Sequence, residues 1–157
     1  RLGWHVTVID GRAPLALPER FPSARHVQIA RIDHLDQAII PKGFAVLMSH
    51  NYYYDLAVLK HLCTHMDIVY IGILGPRKKT DRMLDELRRQ GIDIAALEQR
   101  IYSPIGLDIG AENADEIAIA IMAELLAVSK GYQAGFLRNI NAPIHNREMV
   151  KSAAKNE

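Results

Sequence analysis

Four short stretches carry the residue types that a small-molecule site needs. The first is Asp10-Gly11-Arg12, which follows the apolar run His5-Val6-Thr7-Val8-Ile9. An acid closing a buried strand accepts hydrogen bonds from a ribose diol in dinucleotide-binding folds. Such an acid lies about 20 residues after a G-x-G-x-x-G loop, which here would fall upstream of Arg1. The competing reading is a plain turn, since Asp-Gly is a common turn pair. The second stretch is Gly72-Ile73-Leu74-Gly75-Pro76-Arg77-Lys78-Lys79. Its two glycines let backbone amides approach a ligand, and the helix start that follows offers unpaired N–H groups and a positive dipole end. Arg77, Lys78 and Lys79 crowd that end, where each cation opposes the dipole by roughly 0.3–1 kcal/mol. A bound phosphate or carboxylate would offset the penalty, and so would ion pairs to Asp81 and Glu86 in a solvated turn.

The third stretch, Ser49-His50-Asn51, follows the apolar run 44–48. His50 can titrate or donate to a ligand. With no carboxylate partner placed beside it in sequence, a loop-capping histidine is the plainer reading. The fourth runs from Ser103 to Ala111 and contains Gly106, Asp108 and Gly110. It reads equally as a ligand-facing loop or a rigid connector.

Other chemistries find little support. His61 and His65 share a helix face, but Cys63 lies away from it and no H-E-x-x-H pattern is present, so no metal site is expected. Tyr52, Tyr53 and Tyr54 lack the basic interleaving of a nucleic-acid stacking platform. There is no G-x-S-x-G elbow. Across 157 residues the net charge is +1, too small for nucleic-acid binding by bulk charge. No apolar run approaches the roughly 20 residues of a membrane span. The lone cysteine, Cys63, excludes an intrachain disulfide framework and fits a reducing cytoplasm. No signal peptide is read, because Arg1-Leu2-Gly3-Trp4 runs straight into a strand, and the start of the chain reads as cut.

The elements that position these residues alternate in type. Strands are expected over 5–10, 25–29, 44–48 and 67–71, each an apolar or β-branched run. A helix is expected over 55–65. A second should begin with Pro76 at its first position and close at Gly91, with Ile92 packing back on Leu87. A third begins at Asn113, with Glu116 completing a capping box. Its Ile117, Ile119, Ile121, Met122, Leu125 and Leu126 spread over more than one face and predict deep burial. One domain over 1–132 and a tail over 133–157 follow. Strands alternating with helices indicate an α/β, Rossmann-like, doubly wound parallel sheet, whose ligands bind at the carboxyl ends of the strands.

The segments 2–12, 48–51, 70–78 and 103–112, in that order, closely resemble the carboxyl-terminal Rossmann domain of the XdhC/CoxI family of xanthine dehydrogenase accessory proteins. The run Pro104-Ile105-Gly106-Leu107-Asp108-Ile109-Gly110-Ala111-Glu112 is the most specific part. The resemblance covers 2 to about 127, and short runs at 136–138 and 143–145 also resemble the tails of some members. It implies a maturation factor and not a turnover enzyme: a chaperone that holds the molybdenum cofactor (molybdopterin, a pterin with a phosphate) and inserts it into a xanthine dehydrogenase-type client. On the family pattern, Asp10 matches the acid after the second strand and His50 the histidine after the central strand. Gly72, Gly75, Arg77 and Lys78 match the glycine-basic turn, and Gly106, Asp108 and Gly110 the signature loop. With Arg12, Ser49 and Asn51 beside them, these form the expected cofactor-binding set, with no catalytic and no metal-ligating residue.

Two departures stand out. The family's separate amino-terminal domain has no counterpart in the chain, nor do its first strand and glycine-rich turn. Pro76 stands where a serine is common. A sheet without its central first strand leaves neighbouring edges unpaired, so a dimer or other homo-oligomer, or a rearranged strand order, is expected. The alternative from another class is an NAD(P)-dependent oxidoreductase, and a third reading is a partner-docking domain with a vestigial crevice.

Overall fold

A computed structural model describes residues 2–38, 40 and 42–141. Five strands form: β1 (Thr7–Asp10), β2 (His26–Ile29), β3 (Gly43–Leu47), β4 (Ile68–Ile73) and β5 (Ile101–Tyr102). Four α-helices accompany them: α1 (Tyr52–Leu62), α2 (Arg77–Arg89), α3 (Ala95–Glu98) and α4 (Ala114–Ser129). Every strand pair is parallel, as the α/β pattern requires. β1 pairs with β2, and β3, β4 and β5 form a second sheet in that order. Among the described residues no ladder joins β1 to β3, and the strands are not reordered within the chain. The residues cluster into two compact units, 1–104 and 105 onward.

In the first unit β4 is the centre of its sheet. Ile68, Tyr70, Ile71 and Ile73 of this strand are buried, while Val69 is exposed. Tyr70 meets Phe44 edge-on at 5.4 Å and stacks on Tyr102 at 4.2 Å. Leu59 and Leu62 of α1 and Met83, Leu84 and Leu87 of α2 complete the core. α2 closes as its sequence predicts. Gly91 takes φ +75°, its N–H donates to Arg88 O at 2.9 Å, and Ile92 N–H donates to Leu87 O at 3.1 Å. This is the paired closure that leaves Ile92 against the core.

Several boundaries differ from the sequence expectation: the strands shift by one or two residues, and α1 ends at Leu62, three residues short of His65. α1 starts three residues earlier, because Asn51 caps it by accepting from Tyr53 N at 3.0 Å and Tyr54 N at 3.1 Å. Pro76 is the cap residue of α2 and not its first helical residue. β4 runs on through Ile73, two residues beyond the expected end. α3, β5 and the short 3-10 turns at Pro18–Arg20, Ile32–Gln37 and Leu137–Asn139 carry no periodicity long enough to read.

In the second unit α4 has the expected capping box: Glu116 N donates to Asn113 Oδ1 at 3.0 Å, and Glu116 Oε2 accepts from Asn113 N at 3.3 Å. Its burial is one-sided. Ala120, Ile121 and Leu125 are buried, while Ile119, Met122 and Leu126 remain exposed, so the expectation of all-round burial is corrected. The residues from 142 onward, including the run 143–145, lie outside the described set.

Candidate functional site

β1 delivers Asp10 to the carboxyl end of its sheet, and β3 delivers Ser49, His50 and Asn51 two to four residues past its own end. Tyr54, in the first turn of α1, spans the space between. Its hydroxyl donates to Ala30 O, just past β2, at 2.7 Å. Burial pushes the Tyr54 phenol above its ordinary pKa. Gly11 lies against this ring. A Cβ there would sit 2.8 Å from Tyr54 Cε2 and 3.3 Å from Ala30 O, so the position admits only glycine without movement. The result is a cleft of about 300 Å³ lined by Asp10, Arg12, Arg31, Asp33, Ser49, Asn51 and Tyr54. A larger groove of about 420 Å³ runs between Pro18 and Gln28, but its lining has no carboxylate and none of the sequence-derived candidates.

Asp10 is engaged locally, by Arg12. Its Oδ1 accepts from Arg12 N at 2.8 Å and Arg12 Nε at 2.9 Å, and its Oδ2 accepts from Arg12 Nη2 at 2.8 Å. The Arg12 hydrogen bonds hold the carboxyl below its ordinary pKa, against the opposing effect of burial. A carboxylate offers about four lone-pair sites. Three are taken, so a diol reaches Asp10 through the remaining Oδ2 site or by displacing Arg12.

Ser49 and Asn51 face the same cleft, and much of their polar capacity is already committed. Ser49 Oγ donates to Asp55 Oδ1 at 2.6 Å and accepts from Asn51 N at 3.1 Å. Asn51 Oδ1 caps α1. Between them His50 adopts φ +59°, the one non-glycine residue with positive φ among those described. Its side chain is exposed and makes no hydrogen bond among the described residues. It is therefore not a loop cap.

Sequence reasoning missed Asp55. Its side chain is 2% exposed, and Lys79 Nζ lies 2.5 Å from its Oδ2. The signal was present: an acid on the apolar stripe, with Leu59 four and Leu62 seven positions later. Lys79 is thus occupied. Its ammonium also donates to Leu74 O at 3.3 Å.

The glycine-basic turn is reapportioned accordingly. Gly72 lies inside β4, paired with Val46 and Tyr102, so Gly75 (φ +116°) is the only turn glycine of the two. Arg77 donates to Asp81 Oδ1 at 3.1 Å, the expected partner, and to Ser103 O at 3.1 Å. Glu86 pairs instead with Arg89 at 2.8 Å. Lys78 is exposed and has no ion pair among the described residues. The loop with Gly106, Asp108 and Gly110 belongs to the second unit. There Gly106 is a packing residue: a Cβ would lie 3.3 Å from Ala120 Cβ, and Leu107 N donates to Ala120 O at 3.2 Å. Asp108 and Gly110 are exposed. Among the described residues no group of three potential ligands could hold a metal. The His61 and His65 rings meet at 4.5 Å, tilted by 48°, and burial lowers the pKa of His61.

The sequence pattern of the XdhC Rossmann domain matches residues 1–125. The chain belongs to this family. It is 30% identical over 130 residues to a probable xanthine dehydrogenase subunit from Bacillus subtilis (strain 168), covering 82% of this chain and 37% of that protein. It is 31% identical over 154 residues to an uncharacterized protein, YqeB, of Escherichia coli (strain K12), covering 95% of this chain and 27% of that protein. A crystal structure of a xanthine dehydrogenase from Bacillus halodurans superposes with a TM-score of 0.69 at 27% identity, over 84% of this chain and 37% of that one. The chain therefore spans roughly a third of the length of these relatives. No helix among the described residues is long and apolar enough to cross a membrane.

Proposed function

We propose that this XdhC-family domain binds the molybdenum cofactor and hands it to a xanthine dehydrogenase-type client, as an accessory factor and not as a turnover enzyme. The observation that carries the reading is the cleft at the carboxyl ends of β1 and β3, where Asp10 and Arg12 face Ser49 and Asn51. Its volume of about 300 Å³ lies at the small end of ligand pockets, enough for part of a pterin with its phosphate. Arg12 and Arg31 supply cationic donors for a phosphate, and the open lone pair of Asp10 accepts from an N–H or O–H. Asn51 and Tyr54 are anchored by their own hydrogen bonds and present fixed walls. When bound, the cofactor supplies the molybdenum centre on which the client's hydroxylation depends. Arg77 and Lys78, at the start of α2, add a second cationic edge.

The whole protein would act in the cytoplasm as a dimer, the second copy or a preceding segment satisfying the edges of β1 and β3 that carry no ladder among the described residues. One observation favours a different reading: an acid at the end of β1 is also where a nicotinamide dinucleotide would place its ribose, which fits an NAD(P)-dependent oxidoreductase. The test is delivery. Full-length protein loaded with cofactor released from a molybdenum hydroxylase should restore activity to a cofactor-free client faster than free cofactor does. Equal rates would remove the chaperone role.

A further inference from the structure

We infer that the outward face of α4 is the contact between two copies of the chain, paired antiparallel about a twofold axis beside Met122; this rests on the dimer named above and not on the cofactor. Helical geometry defines the face. At about 100° per residue, Asp115, Ala118, Ile119, Met122, Leu126 and Lys130 fall within a stripe about 120° wide. All six are exposed, Ile119 at 62% and Met122 and Leu126 at 40% each. The buried residues Ala120, Ile121 and Leu125 lie outside the stripe. A solvated helix turns polar residues outward, and α2 does so with Lys78, Asp81, Arg82 and Asp85. α4 instead turns three large apolar side chains outward along two turns. Apolar side chains gathered in one seam, unlike those scattered singly, mark an association surface.

The occupant follows from the charges that bound the seam. Asp115 opens it, and Lys130, the residue after the last helical one, closes it. Neither makes an ion pair among the described residues. An acid first and a base last suits any single helix. What the seam adds is that both lie on its outward face, equally far from an axis between residues 122 and 123. Turning a second copy end over end about that axis sets Asp115 opposite Lys130 of the second copy and Ile119 opposite Leu126 of the second copy. Met122 meets its own counterpart at the centre. Each end of the seam then carries an opposite-charge pair, and the two helix dipoles run antiparallel. A parallel pairing would set like charges together at both ends. The helix is about 24 Å long over its 16 residues. The seam is therefore the centre of an isologous contact and not the whole of a standard-sized interface.

The experiment follows full-length protein by sedimentation velocity over a dilution series, and the pairing of tagged with untagged copies by native mass spectrometry. Wild type is compared with Met122→Asp, Asp115→Lys, Lys130→Glu and an equimolar mixture of the last two. All three positions are exposed, so thermal melts should change little. Met122→Asp sets two carboxylates against each other at the axis and should raise the dimer dissociation constant about tenfold or more. Asp115→Lys and Lys130→Glu should each weaken self-association, since each homodimer then holds two like-charge contacts. Mixed, they should form heterodimers in excess of random pairing, because every contact then sets a lysine against an acid, and the excess should shrink as salt is raised. A dimer indifferent to Met122→Asp, or heterodimers no more frequent than random pairing, overturns the inference and leaves the dimer standing, with another segment or partner covering the face. Wild type that stays monomeric throughout the series removes the dimer itself and the inference with it.

Discussion

Removing either partner of the Asp55–Lys79 pair should destabilise the fold, and by unequal amounts. Breaking a buried ion pair by deleting one member costs about 3–5 kcal/mol, because the other charge is left without compensation. The two partners are not equally buried: the Lys79 side chain is 20% exposed and that of Asp55 only 2%. Asp55→Asn leaves an ammonium that can still reach water and Leu74 O, so its cost falls at the low end, about 3 kcal/mol. Lys79→Met leaves a carboxylate with the Ser49 hydroxyl as its remaining side-chain partner, so its cost falls higher, about 4–5 kcal/mol. Replacing both, as Asp55→Leu with Lys79→Met, removes the orphaned charge and should recover much of the loss, since apolar replacement of a whole buried pair is often near neutral. Urea unfolding of the four proteins measures this, with m unchanged as the sign that the unfolding transition is the same. If Lys79→Met costs less than about 1 kcal/mol, or the double variant is simply the sum of the singles, the pair is not the buried, coupled unit described here.

Three further outcomes follow from the cleft. Gly11→Ala should cost about 1–3 kcal/mol, because its Cβ would meet Tyr54 Cε2 at 2.8 Å, and a thermal melt should show a smaller loss when Tyr54 is also replaced by alanine. Arg12 depresses the Asp10 carboxyl, so the pair's contribution is present above the unfolded carboxylate range near 3.9 and is lost as pH falls through the lower folded value. Arg12→Gln should therefore be slightly less stable than wild type at pH 7, with the difference closing as pH falls below the ordinary carboxylate range, as read by urea midpoints across pH. Inorganic phosphate should shift the amides of 75–79 in NMR titrations, and Arg77→Ala with Lys78→Ala should reduce those shifts. Equal shifts in both proteins would show that these side chains contribute nothing.

Most of the scaffold was legible because its signals are local. The apolar runs gave four strands, Gly91 and Ile92 gave the end of α2, and Asn113 with Glu116 gave the start of α4. The failures are where the answer depends on a partner distant in sequence. Gly72 reads as a turn glycine until β3 and β5 pair on either side of it. Lys79 reads as a cation crowding a helix start until Asp55, 24 residues earlier, is seen beneath it. Asn51 reads as a ligand residue because capping depends on where the helix begins, and three tyrosines gave no periodic cue for an earlier start. Ile119, Met122 and Leu126 show the converse error, since apolar composition on α4 does not say which faces the fold covers. At the cleft, Asp10 was found from its place at a strand end, whereas Tyr54 was missed because its role rests on reaching Ala30 O.

The proposed role depends on a cofactor being held against Asp10, and the identity of what the whole protein carries decides it. Full-length wild type and Asp10→Asn should be purified from cells making molybdenum cofactor, denatured, and the released small molecules separated and identified by mass and fluorescence. Wild type should release a phosphorylated pterin, and Asp10→Asn markedly less of it with little loss of thermal stability. A nicotinamide dinucleotide in its place, or equal pterin from both proteins, would contradict that role.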